Sequence, residues 1–410
     1  MWCLSLGLTP QYVTGNAASG TSESRHQWPA TVRFPTLGTK REPGGDVVKR
    51  RGTITGWGKC VPPVKLTNAD LEQLVDTSDQ WIVERTGIQE RGISHVEVTD
   101  LAEVAACRAL AAAGLDVEDI DLIVVATVTP EISCPSQACT LQERLGAWNA
   151  GAFDLNAACS GFVYGTSAAS SMIETGVADR VLVVGAEKLH FVMDYRDRAT
   201  SILFGDGAGA IVLEGSMAGD GVLAHDLGAD GGQGKTMVFQ TLGTRGEIAR
   251  QRDPWTDRLH FEGQNVFKIA VRGMENSVRR ALARAEISPE EVNLVVPHQA
   301  NARIIDAATL RLGVPPERVM VNIASHGNSA AASIPMALND ALEEGRIAEG
   351  DIVVQTAFGG GVTWGSTVMR WGERTTPVGK ADIELPPTDL TVFDILADNR
   401  EFFAPYHADD

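Results

Sequence analysis

The sequence lacks most of the devices that would set it apart from ordinary globular enzymes. It has no CxxC pair. Its six cysteines stand apart at positions 3, 60, 107, 134, 139 and 159 of a 410-residue chain, which excludes a disulfide framework and a cysteine zinc site. Such a set suits a reducing, cytoplasmic setting in which a thiol stays free. No apolar run reaches membrane-spanning length. No basic residue precedes the short apolar stretch in MWCLSLGLTPQYVTG, so the N-terminus makes a poor signal peptide. Excess positive charge is also missing. A net charge of −18 argues against a general nucleic-acid binder, and an acidic partner would need a local basic patch. After Met1 the next methionine is Met172, so a shorter product would start at a non-Met codon, near Val47.

Residues 1–51 are rich in Gly, Ser, Thr, Pro and Arg and show no periodicity. They read as a disordered leader. From Gly52 the pattern is regular. ITGWGKC (54–60) reads as a strand and residues 99–115 as an Ala-rich helix. DLIVVATVT (121–129), GAFDLNA (151–157), RVLVVGAE (180–187) and GAIVLEG (209–215) are apolar runs of strand length, as in sheets covered on both faces. The second half predicts helices at 265–287, 301–313 and near 329–345, with strands at 293–299, 319–325, 351–361 and 364–371. LAAAGLDVEDIDLIVV (110–125) lines up with LARAEISPEEVNLVV (282–296), each a helix end, an acidic turn and a buried strand. This suggests two copies of one layered α/β unit: a half at 52–220 that carries a nucleophile, and a half at 221–371. Residues 372–410 hold Pro-Pro, many acids and few apolar pairs. They read as a tail that is ordered only if it docks on the body.

Chemistry concentrates at strand–helix junctions. In LNAACSGFVYG (155–165) a buried strand runs into Cys159 and a helix of small residues follows. A helix N-terminus favours a thiolate and lowers its pKa, which would make Cys159 a nucleophile. In VVPHQANARII (295–305), His298 lies at the C-terminal end of a strand, where α/β proteins place their sites. Asn328 in NIASHGNSAAASIP (322–335) also follows a strand end. A His and an Asn can hold a developing oxyanion by donating from Nε2 and the side-chain amide. Taken singly, each reads as well as a satisfied core histidine and a helix cap. AFGGGVTWG (357–365) has three glycines after a strand. They would form a tight hairpin or bring a backbone N–H beside that of Cys159 as an oxyanion hole.

LNAACSGFVYG, ILFGDGAGA (202–210), PHQAN (297–301), GNSAAASIP and AFGGGVTWG together resemble the β-ketoacyl-acyl-carrier-protein synthase III family, over about Gly52 to Trp371. The resemblance implies an α/β fold of duplicated five-layer αβαβα, thiolase-like architecture, and a homodimer. It implies a decarboxylative condensation of an acyl-CoA primer with malonyl-acyl-carrier protein, the initiation of fatty acid synthesis, with no cofactor and no metal. Cys159 would be acylated, His298 and Asn328 would decarboxylate the malonyl thioester, and Gly360 would supply an oxyanion N–H. The family's DTSDQWIVERTGI element is present at 76–88. Trp81 and Arg85 would clamp the adenine of CoA, with Thr86 adjacent and Arg198 a further CoA contact. Phe267 would orient the catalytic residues, and Ala300 and Asn301 would line the pantetheine channel.

The expected partners are acyl carrier protein, acyl-CoA and a malonyl thioester, with neither nucleic acid nor membrane. Lys268, Arg272, Arg279, Arg280 and Arg284 recur along one helix, and the first three share a face by spacing. Arg303 matches a carrier-docking position of the family. A solvated charged face explains the helix equally well. Two departures stand out. Cys134 replaces the Phe that in many relatives reaches across the dimer to close the acyl pocket, which leads us to expect a primer larger than acetyl. His326 stands where Tyr is more usual. A specialised relative making an alkylquinolone, pyrone or ketone, or transferring acyl to oxygen, would share these motifs. A non-catalytic partner subunit would be expected to lose the nucleophile.

Overall fold

Strands without polar alternation must be covered on both faces, and these residues achieve it by layering. The computed structural model describes residues 49–238 and 259–404; residues 1–48 of the expected leader and 405–410 of the tail lie outside the described residues. Strands β1 (Arg51–Cys60), β4 (Leu122–Ala126), β5 (Gly151–Leu155), β6 (Arg180–Glu187) and β7 (Gly207–Ser216) form one sheet in the order β1-β7-β6-β4-β5. In it β4 runs parallel to β5 and β6, while β7 is antiparallel to both its neighbours. A second sheet orders β11 (Val292–Pro297), β12 (Ile352–Gly359), β13 (Thr363–Arg370) and β8 (Gly221–Ala229). There β11 and β12 are parallel, and β13 is antiparallel to β12 and β8. Two ribbons, β2 (Val64–Thr67) with β3 (Glu90–Ile93) and β9 (Met237–Val238) with β10 (His260–Phe261), flank the site.

Helices fill the spaces between. Short α1 (Asn68–Leu71) and α2 (Asp79–Thr86) follow β2. Helices α3 (Val98–Ala113) and α4 (Gln137–Leu145) cover the outer face of the first sheet. Helix α5 (Gly161–Glu174) touches strands of both sheets. After α6 (Arg198–Ser201), α7 (Gly263–Ala285) and α8 (Ala302–Leu312) form the outer layer of the second half. Past α9 (Ile323–His326), α10 (Ser333–Glu343) joins α5 in the central layer, with Ser333 to Leu342 buried throughout. The five layers are thus helix, sheet, helix, sheet, helix. Small residues let the central layer close: a Cβ on Gly185 would lie 2.3 Å from the Ala331 carbonyl oxygen.

The internal repeat holds in detail. Helix α3, a turn at Val117–Asp119 and β4 correspond to α7, a turn at Pro289–Glu291 and β11. Both turns close with a capping box, Asp116 with Asp119 and Ser288 with Glu291. One expected strand is corrected. Of residues 319–325, only Val319 bridges to Val295, with Met320 N–H donating to the Val295 carbonyl at 2.8 Å. The Gln299 side chain then accepts from Asn322 N–H at 3.0 Å, and the chain turns into α9. A side-chain acceptor distant in sequence takes the N–H that a ladder would use.

The body starts slightly before Gly52, since β1 begins at Arg51 and Arg50 pairs with Asp179. The tail is ordered because it docks. Val378 and Gly379 N–H donate to the Ala112 and Ala111 carbonyls, both at 3.0 Å, and Arg374 donates to Ala113 at 2.8 Å. These bonds satisfy carbonyls that the end of α3 leaves open. Ile383 and Leu385 then pack on the α3 cluster. The chain ends its described course in α11 (Val392–Ile395) and α12 (Ala397–Phe403). Among the described residues no helix is long and apolar enough to cross a membrane.

Candidate active site

The C-terminal ends of β5, β11 and β12 converge, with Cys159 just beyond β5 and His298 just beyond β11, while Asn328 follows α9 and not the expected strand. Cys159 follows β5 inside a tight turn, Ala158–Ser160, that precedes α5. Ala158 is held at φ 49°, a left-handed conformation costly for a residue with a Cβ, of the kind found at functional turns. Opposite, Gly359 closes β12. A Cβ there would sit 2.8 Å from the Cys159 backbone nitrogen, so only glycine lets the second half press its backbone onto the nucleophile's. Gly360 follows in the hairpin joining β12 to β13. The Cys159 side chain is only 7% exposed.

That burial works against the expected thiolate. Burial first, then the charge of Glu187, pushes the thiol up to about 12, against a smaller lowering by the backbone N–H of Cys159. Desolvation of the charged form is the largest of these influences.

His298 follows β11 directly, and its N–H donates to the Thr356 carbonyl of β12 at 2.8 Å. Burial alone lowers its imidazole to about 3, so the ring is neutral. Nδ1 lies 2.7 Å from Ser333 Oγ, which is also 2.9 Å from the Ala330 carbonyl oxygen. When the hydroxyl donates to Nδ1, the ring proton is on Nε2. Asn328 is oriented by its neighbours: its Oδ1 accepts from Ala330 N–H at 2.9 Å, and its own N–H donates to the Leu203 carbonyl at 2.9 Å. Fixing Oδ1 this way leaves Nδ2 as the donor.

Cys159, His298 and Asn328 line one cavity of about 480 Å³. Its wall includes Phe204, Phe267, Phe358 and Ala300, and its mouth Trp81, Arg85, Thr86, Asn301, Lys268 and Arg303. At the mouth the Arg85 and Arg198 guanidinium carbons lie 4.6 and 4.7 Å from the Trp81 ring centroid. Arg198 also donates to the Asp76 carbonyl at 3.0 Å. Thr86 donates to the Ile82 carbonyl at 2.7 Å and so packs inward. Asn301 caps α8 through Arg303 N–H and donates to the Arg85 carbonyl at 3.0 Å, tying the two rims together.

The basic helix divides. Arg280 and Arg284 both pair with Asp226, and Arg279 pairs with Glu275. Lys268 and Arg272 are exposed and make no ion pair among the described residues. Cys134 stands on an exposed loop and does not line the cavity of its own protomer. His326 is set against Asp340 at 3.3 Å, behind the site.

Two residues escaped the sequence reading. One is Ser333. The other is Glu187, fully buried at the end of β6. It accepts from the Thr129 hydroxyl at 2.6 Å and from Val128 N–H at 3.1 Å, and burial raises it to about 7. The signal was legible: a lone acid closing the apolar run VLVVGAE must be buried with partners.

A buried cysteine, an imidazole and an oriented amide at the meeting of two repeated halves define a thiolase-fold condensing enzyme. Family models agree, with 3-Oxoacyl-[acyl-carrier-protein (ACP)] synthase III matching residues 153–231 and its C-terminal counterpart residues 282–371. A Beta-ketoacyl-[acyl-carrier-protein] synthase III 2 of Vibrio cholerae is 46% identical over 345 residues, 84% of this chain and 95% of the relative. The synthase III of Geobacillus kaustophilus is 47% identical over 78% of this chain and 98% of its own. The crystal structure of the Aquifex aeolicus synthase III superposes with a TM-score of 0.73 at 45% identity, covering 78% of this chain and all of that one (100%). The chain belongs to the β-ketoacyl-acyl-carrier-protein synthase III family and is an acyltransferase of the condensing type.

Proposed function

We propose that this chain initiates fatty acid synthesis by condensing an acyl-CoA primer with malonyl-acyl-carrier protein, in two half-reactions at Cys159. The observation that carries the reading is the cavity that brings the nucleophile, a neutral imidazole and a free amide donor to one floor. In the first half Cys159 sulfur attacks the primer carbonyl, CoA leaves, and the thiol proton ends on the departing CoA sulfur. In the second half the malonyl thioester loses CO2, and the electron pair moves onto its carbonyl oxygen. His298 Nε2–H and Asn328 Nδ2–H hold that enolate oxygen. A neutral donor suits this task, since it stabilises charge without protonating the carbanion. The carbanion attacks acyl-Cys159, the N–H groups of Cys159 and Gly360 hold the tetrahedral oxyanion, and the expelled thiolate takes up a proton from solvent to restore the thiol.

Trp81, Arg85 and Arg198 fit a CoA nucleotide. The Arg85 and Arg198 guanidinium groups beside the Trp81 ring make a cationic, aromatic rim suited to an adenine ring and its phosphates. Lys268, Arg272 and Arg303 form the carrier-protein landing site in this reading, because they are the exposed cations of the basic set nearest the mouth. No cofactor or metal is needed. A homodimer is supported by β5, an outer strand of its sheet that pairs only with β4 among the described residues. Ile132 and Trp148 are exposed beside it, at 53% and 69%. Cys134, on the loop between them, would then face the partner's acyl pocket and leave room for a primer longer than acetyl. Intact-mass measurement after incubation with acetyl- to decanoyl-CoA tests both ideas. Acyl adducts on native protein but not on Cys159→Ala, strongest beyond acetyl, are expected; a clear preference for acetyl-CoA would defeat the primer claim.

A further inference from the structure

The tail is the part of the chain that the condensing chemistry does not use, yet its last helices are built into the core. Val392 and Leu396 are 7% and 0% exposed and belong to the cluster that contains Cys159, Leu203 and Phe204. Asn399, 8% exposed, donates both amide hydrogens of Nδ2, to the carbonyls of His190 and Phe191, each at 3.0 Å. These carbonyls belong to a short turn, His190–Val192, in which the His190 carbonyl also accepts from Met193 N–H at 3.2 Å. Downstream the loop runs through Tyr195, 2% exposed, to Asp197, which caps α6 at Arg198.

The tail also reaches the other side of the clamp, where Leu74 packs on the cluster that holds Val392 and Leu396. Arg400 and Phe403 share a small cleft with Leu74 and with Asp194, Tyr195 and Arg196. Leu74 lies two residues before Asp76, whose carbonyl accepts from Arg198. The tail helices therefore touch both segments that fix Arg198: the loop that leads into it and the turn that receives its hydrogen bond. We propose that the tail positions the CoA clamp, with Asn399 and Leu396 as positioning residues that hold Arg198 against Trp81. This rests on the reading of Trp81, Arg85 and Arg198 as the nucleotide site.

Steady-state acylation of full-length Asn399→Leu and Leu396→Ala tests it with two primers of equal acyl length, acyl-CoA and S-acyl-pantetheine, which lacks the nucleotide. KM for acyl-CoA is expected to rise about fivefold, the worth of one displaced cation–π contact, with kcat within twofold and acyl-pantetheine turnover unchanged. Equal losses for both primers would mean a general structural role, and no change for either would mean no role; each overturns the proposal. Trp81→Ala tests the underlying reading separately. If it raises KM for acyl-CoA alone, the clamp stands whatever the tail variants do. If it treats both primers alike, the clamp assignment fails and the proposal with it.

Discussion

The two halves of the molecule repeat one unit and have divided the work. In the first, a strand runs through a left-handed alanine, Ala158, into a reactive sulfur. In the second, the corresponding turn has its own left-handed alanine, Ala330 at φ 42°, and carries donors instead. The strained turn is common to both, so it belongs to the architecture. The side chain beside it decides the role. In the proposed mechanism the first half makes and breaks the covalent bond, and the second holds negative charge on oxygen.

The sharpest way to break that division is to mutate each half and follow the half-reactions separately. Cys159→Ala should abolish acyl-enzyme formation and lower overall turnover by about 10³-fold or more, read by intact mass and product formation. His298→Ala and Asn328→Ala should keep acylation within about tenfold while condensation falls by about 10²–10³-fold, the size of losing a preorganised oxyanion donor. Equal damage to both half-reactions would erase the distinction. The resting thiol is the next test. With Cys159 near 12, its alkylation by iodoacetamide should climb about tenfold per pH unit from 7 to 9, because the thiolate is the reactive form. A plateau by pH 8 would restore the dipole-activated thiolate.

Smaller effects sharpen the picture within the second half. Ser333→Ala should slow condensation about tenfold, as expected for losing the hydroxyl that holds the imidazole through Nδ1 at 2.7 Å, and should spare acylation. The halves also oppose each other in their response to pH. Glu187 is raised from 4.5 to about 7, so its contribution to stability is largest below pH 4.5 and is lost as pH rises through 7. His298 is lowered from 6.5 to about 3, so its contribution is present above pH 6.5 and is lost as pH falls toward 3. Between pH 4.5 and 6.5 the slopes cancel. In Glu187→Gln only the histidine limb remains, so its Tm relative to the native protein should increase with pH across that window; a flat difference would mean Glu187 is ionised throughout.

Much of this was legible in the residues. Buried strands appear as apolar runs, so β4, β6 and β12 fall close to their expected places. Cys159 and His298 could be found because each follows such a run, and Asn328 because it follows an apolar stretch that only resembles one. What escaped depended on contacts distant in sequence. Residues 319–325 look like a strand, but Gln299, twenty or more residues earlier, captures the backbone of Asn322. The thiol's protonation follows from walls supplied by both halves, which no local pattern records. Arg280 and Arg284 read as a landing site until Asp226 on a neighbouring strand claims them. The tail's sparse apolar residues gave no period to read, and its order comes from hydrogen bonds to the end of α3 and to the turn at His190.

The cavity has consequences for traffic. Trp81 and Arg303 stand at the same opening that leads to Cys159, so the spent CoA and the incoming carrier arm share a single lane. In the proposed function, free CoA in that opening competes with the carrier arm for the way to Cys159.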